Sequence, residues 1–226
     1  MPITTGLGKR FIMHLSAVNS DIPLEKVAAL WQDIAMRYNK IPRSYHTLRH
    51  IQQLFSQFEQ INQRLYEPHI IALALFFHDV IYDPSRTDNE LKSAEYAVDK
   101  LSPYLNAEQC QHIYALIMMT ASHQISETHK YPDNTKKDEK DSDAAYLLDM
   151  DLSILGAPWA EYEEYAKAVR QEYAHVSNID YRAGRTEVLT GLLMHSTLYL
   201  TDYYHKHLEV QARENINREI KTLHAS

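Results

Sequence analysis

Cysteine occurs once in this chain of 226 residues, at Cys110. No internal disulfide and no thiolate metal site can be built from it, which fits a reducing compartment. Glycine is scarce too, with five copies, and neither Asn-Gly nor Asp-Gly occurs. Lacking those turn signals, the chain is a poor match for an all-β fold. No apolar run approaches the roughly 18 residues that suggest a membrane span. The opening stretch MPITTGLGKRFIMHLSAVNS has neither a signal-peptide core nor a small-residue cleavage site. An excess of positive charge is also missing: 23 Lys and Arg face 30 Asp and Glu, for a net charge of -7. That balance argues against nucleic acid or an anionic membrane as the main partner. A phosphate substrate stays open, because local charge or a bound cation overrides the net value. The expectation is a soluble, cytoplasmic protein.

What the chain does have is helical patterning. Hydrophobic residues make up 45%, enough for one substantial core, so a single all-α domain over residues 1–226 is expected. Asp21 is a candidate N-cap before IPLEKVAALWQDIAMRY, where Leu24, Val27, Ala28, Trp31, Ile34 and Ala35 share a face. Ser44 or Thr47 could start the next helix, with Ile51, Leu54, Phe55 and Phe58 inward. Pro68 fits the first turn of a helix that runs to His78. Further helical patterns cover about Glu90 to Leu101, Ala107 to His123, and Ala144 to Leu155. After Pro158 they resume at WAEYEEYAKAVRQEY, then at Arg185 to Tyr203 and Lys206 to Leu223. The polar segment Thr128 to Asp143, THKYPDNTKKDEKDSD, reads as a mobile loop.

The chemistry starts at FFHDVIYD, Phe76 to Asp83, where an apolar helix ends in adjacent His78 and Asp79. A buried imidazole and carboxylate need partners, since an unpaired buried charge costs several kcal/mol, on the order of the full desolvation penalty. They could satisfy each other, or they could face a metal ion. With 13 histidines in the chain, one alone means little. Upstream, YHTLRHI places His46 and His50 four apart, on one face if the helix already includes both. An acidic residue inside the apolar stretch LLDMDLSILG, Asp149 or Asp151, would complete a mixed nitrogen and oxygen site. Imidazoles suit zinc, iron, manganese or nickel, and carboxylates add affinity for harder ions. Arg49, Arg86, Lys92, Arg170, Arg182 and Arg185 are the candidate phosphate-binding cations, with Arg170 and the pair in YRAGR set among aromatic residues.

Taken in order, YHTLRHI, FFHDVIYD, NELKSA and LLDMDLSILG resemble the H…HD…D signature of the HD superfamily of metal-dependent phosphohydrolases, in particular a bacterial subgroup of predicted HD-type phosphohydrolases. The resemblance spans about Tyr45 to Gly156. It implies an all-α helical bundle with His50, His78, Asp79 and a later aspartate as metal ligands. DLSIL fits Asp151 better than Asp149, with Leu152 standing where the family commonly has a basic residue. One divalent ion (Mn, Mg, Zn, Fe, Co or Ni) is implied, and the partner is a small phosphorylated substrate such as a nucleotide. Asp79 would both ligate and assist deprotonation of a water. The pair His46 and His50 also resembles the cyclic nucleotide phosphodiesterases, which would make His46 a general acid; a structural histidine bonded to backbone is the alternative. His123 would face a substrate phosphate or support the ligands, with simple surface exposure as the alternative. Arg170, among aromatic residues, is a candidate substrate contact, with a helix-face salt bridge to Glu172 or Glu164 as the favoured alternative. Glu90 would orient a ligand imidazole. Two other classes remain beside this one: a nucleotide-binding or regulatory module, and a di-iron oxygenase that would need more histidine ligands. A homodimer is compatible with any of them.

Overall fold

The computed structural model of the chain describes residues 3–125 and 137–225. Among them there are helices and connecting turns and no strand, so the fold is all-α. No helix among the described residues is long and apolar enough to cross a membrane. The contacts divide the chain into two units, Met1–Leu148 and Asp149–Ser226, and the boundary falls inside one continuous helix.

The first unit is built around α4 (Pro68–Phe77). Every residue from Ile70 to Phe77 is buried, as expected of a helix that is apolar all round. It packs against α1 (Ile3–Val18), α3 (Leu48–Ile61), α5 (Asn89–Leu101) and α6 (Ala107–Met119), while α2 (Leu24–Tyr38) packs on α1. Pro68 occupies the first turn, where a missing N–H costs nothing. Near the other end, the Tyr38 hydroxyl donates to the Phe76 carbonyl at 3.1 Å. Phe76 itself meets Phe11 edge-on at 5.2 Å and Phe55 at 4.5 Å. On α1, Leu7, Phe11 and Leu15 recur every four residues and are wholly buried; a helix was not expected there. Gly8 lets α2 approach, because a Cβ at that position would lie 2.6 Å from the Trp31 indole nitrogen.

Several boundaries differ from the expected ones. Asp21 does not cap α2, which starts after Pro23, and Leu24 is exposed rather than inward. α6 stops at Met119 instead of reaching His123. Thr120 Oγ1 donates back to the Ile117 carbonyl at 2.7 Å, and His123 turns the chain in the left-handed region at φ 51°. The expected loop is also revised. Its first part, through residue 136, lies outside the described residues, but Lys137 to Asp143 open α7 (Lys137–Asp151). The polar composition was misleading because Asp143 is not solvated: it is fully buried, and its two carboxylate oxygens accept from the N–H groups of Tyr66 and Glu67 at 2.9 and 2.7 Å. Those groups precede α4, so Asp143 fastens α7 to the entry of the central helix.

The second unit holds a 3₁₀ turn (Leu152–Gly156), α8 (Trp159–Glu172), α9 (Asn178–Met194) and α10 (Asp202–Ala225). α9 starts earlier than expected, at a Ser177 cap whose hydroxyl accepts from Asp180 N. It also ends at Met194 instead of running to Tyr203. The Leu198 and Tyr199 N–H groups donate to the Glu209 carboxylate, and those of Leu200 and Thr201 donate to Asp149. These side-chain acceptors replace the helical carbonyls that a continued helix would supply.

Candidate metal centre

The site forms where three local signals meet. Thr47 caps α3, its hydroxyl accepting from Arg49 N at 3.2 Å. The helix therefore begins after His46, which sits in the preceding turn rather than on a shared face with His50. His50, one turn into α3, points inward and is 2% exposed. At the end of α4, His78 is the C-cap residue, again 2% exposed.

The His78 ring is oriented by its own helix. Its Nδ1 lies 2.9 Å from the Leu75 carbonyl, an oxygen that can only accept, so Nδ1 carries the proton and Nε2 presents a lone pair. That Nε2 lies 3.3 Å from His50 Nε2 and 3.0 Å from Asp79 Oδ2, and the same oxygen is 3.8 Å from His50 Nε2. Asp151, the last residue of α7, lies beyond Leu148, in the second unit.

These separations test whether a metal fits. Ligands about 2.0–2.1 Å from one ion are about 3.0 Å apart at a right angle and about 3.4 Å apart at a tetrahedral angle. The nitrogen–nitrogen and nitrogen–oxygen separations around His78 match those two edges. Two imidazoles with carboxylate oxygens suit first-row divalent ions from manganese to zinc. The His50, His78 and Asp79 cluster could therefore hold a metal ion.

Of the two candidate aspartates, Asp149 has other work. It is 1% exposed, and its oxygens accept from Leu200 N, Thr201 N and Thr201 Oγ1 at 2.6 to 2.8 Å. Burial pushes its carboxyl up to about 6, against the opposing pull of those hydrogen bonds.

His46 is 21% exposed, and its Nε2 is 4.0 Å from Asp79 Oδ2. Its ring stacks on Tyr82 with centroids 4.1 Å apart. Sequence reasoning missed Tyr82 and, more importantly, Arg43. The Arg43 guanidinium donates to the carbonyls of His46, Asp79 and Val80 at 3.0, 2.7 and 3.0 Å, tying the histidine turn to the His-Asp turn. An arginine in an aperiodic, proline-containing connector leaves no pattern to read, so no signal pointed to it.

The remaining expected site residues are elsewhere. Arg170 closes the turn between α8 and α9, donating to the carbonyls of Tyr173 and Val176 and to Asn178 Oδ1. His123 ends the turn after α6, where its N–H donates to the Met119 carbonyl at 2.9 Å. Glu90 lies in the first turn of α5 and makes no hydrogen bond or ion pair among the described residues; the Leu75 carbonyl orients His78 instead. His112 pairs with Glu67 at 3.1 Å. No family model, no curated protein and no solved structure matches the chain.

Proposed function

We propose that the chain is a metal-dependent phosphohydrolase acting on a nucleotide or another small phosphate ester, as its resemblance to the HD superfamily implies. One observation carries the reading: residues 28 and 29 positions downstream of His50 bring ligating atoms within 3.8 Å of its imidazole and 3.0 Å of each other. His50, His78 and Asp79 would hold the ion, with Asp151 as the further ligand that the resemblance implies. A divalent ion there supplies Lewis-acid polarisation of a phosphoryl oxygen and acidifies a water.

The chain's own groups would do the rest. Asp79 Oδ2, near three imidazoles, is suited to accept a proton from an attacking water. His46, partly open to solvent, is suited to give a proton to the leaving oxygen. Stacking on Tyr82 restrains its ring, and Arg43 holds the two turns in register. The test is metal analysis followed by turnover on a panel of nucleotides and phosphomonoesters. We expect stoichiometric divalent metal and metal-dependent phosphate release, both lost in His50→Ala and His78→Ala. Turnover that survives complete metal removal, or bound metal with no turnover on any ester, would overturn the reading.

A further inference from the structure

The helices α8, α9 and α10 enclose a cavity of about 300 Å³ that shares no residue with the metal centre. We propose that this cavity binds a small organic anion with a flat apolar body. Trp159 forms its aromatic wall, with Leu223 and Ala166 beside it. The volume stands at the lower end of the range for small-molecule sites, which are mostly apolar with a few placed polar groups.

The charge around the cavity selects the sign of the ligand. Its two carboxylates are already matched: Glu163 by Lys167 at 2.6 Å, and the buried Glu219 by Arg185 at 2.9 Å. Two arginines are not. Arg170 lines the wall over the Tyr181 ring at 4.6 Å, and its donors reach only neutral oxygens. Arg218 lies 3.9 Å over the Trp159 ring, and its charge also acts on the Glu163 carboxylate. Arg182, half-buried in the wall, has neither a hydrogen-bond nor an ion-pair partner among them. An aromatic surface flanked by guanidinium groups, two of them without a counter-ion, takes a planar body and an anionic head together, since guanidinium pairs with carboxylate or phosphate in a two-pronged way.

The experiment titrates the full chain with 1-naphthoate by calorimetry, with neutral 1-naphthamide as comparator. We expect saturable binding at one site, at least tenfold weaker for the amide. Arg182→Gln should weaken naphthoate at least tenfold while leaving the circular dichroism unchanged, and Trp159→Ala should weaken both compounds. His50→Ala should bind naphthoate as the parent does. No saturable binding up to 1 mM, equal affinity for acid and amide, unchanged affinity in Arg182→Gln, or loss of binding in His50→Ala would each overturn the proposal. The last outcome would place the probe at the metal centre instead.

Discussion

Asp143 offers the sharpest test of how the first unit is held together. Its carboxylate is fully buried and accepts from the backbone N–H groups of Tyr66 and Glu67 at 2.9 and 2.7 Å. Desolvation raises its pKa, and the two backbone hydrogen bonds oppose that rise. In Asp143→Ala both N–H groups lose their acceptor at the entry to α4. Each buried donor left without a partner costs about 1–3 kcal/mol, so a total of about 2–6 kcal/mol is expected. Asp143→Asn keeps one acceptor oxygen but turns an NH₂ toward the second N–H, so it should recover about half of that loss. The measurement is urea denaturation followed by circular dichroism, with m-values compared to confirm that the unfolded states are alike. Neighbouring α4 is so thoroughly buried that it should remain helical in both variants. A loss below about 0.5 kcal/mol in Asp143→Ala, the level of an ordinary surface substitution, would refute the reasoning and return the segment to a solvated connector.

Three further outcomes are expected. His14 is 4% exposed and faces His69 Nδ1 to Nδ1 at 3.0 Å; burial first, then the His69 charge, lowers its pKa to about 4. The native state therefore holds it neutral, its contribution is fully present above pH 6.5, and on the order of 3 kcal/mol is lost as pH falls from 6.5 to about 4. A His14→Gln variant whose stability falls just as steeply over that window in urea titrations would contradict this. Asp149→Asn should lower stability by about 1–3 kcal/mol with metal retained, because it disturbs the acceptors of Leu200 and Thr201. Asp151→Asn should do the reverse, and metal analysis alongside denaturation would expose a swapped assignment. His46→Ala should keep its metal yet slow hydrolysis of esters with poor leaving groups by about 10²–10⁴-fold, sparing p-nitrophenyl phosphate. Equal losses on both ester types would exclude proton donation by His46.

Signals that act within a few residues could be read from the sequence, and those that depend on a partner far along the chain could not. The burial of α4 was legible because eight consecutive apolar residues leave no face for water, and Pro68 marks its start. Thr47 was legible as a cap because its bond reaches only two residues ahead. The helix of Leu7, Phe11 and Leu15 was not expected from the sequence, although its four-residue spacing is regular. Asp143 and Glu209 were beyond reach: each sits in a polar run that looks solvated, and each becomes buried by accepting backbone N–H groups, 76 and 77 residues away for Asp143 and 10 and 11 for Glu209. The candidate site divides the same way. His78 with Asp79 stood out because a polar pair interrupts an apolar helix, and Asp151 was favoured over Asp149 by resemblance alone. What sets Asp149 apart physically is the pair of N–H groups at Leu200 and Thr201, which donate to its carboxylate. A buried carboxylate in sequence is thus an ambiguous sign, equally a ligand or a cap for distant backbone. The choice between them is made by where the chain returns.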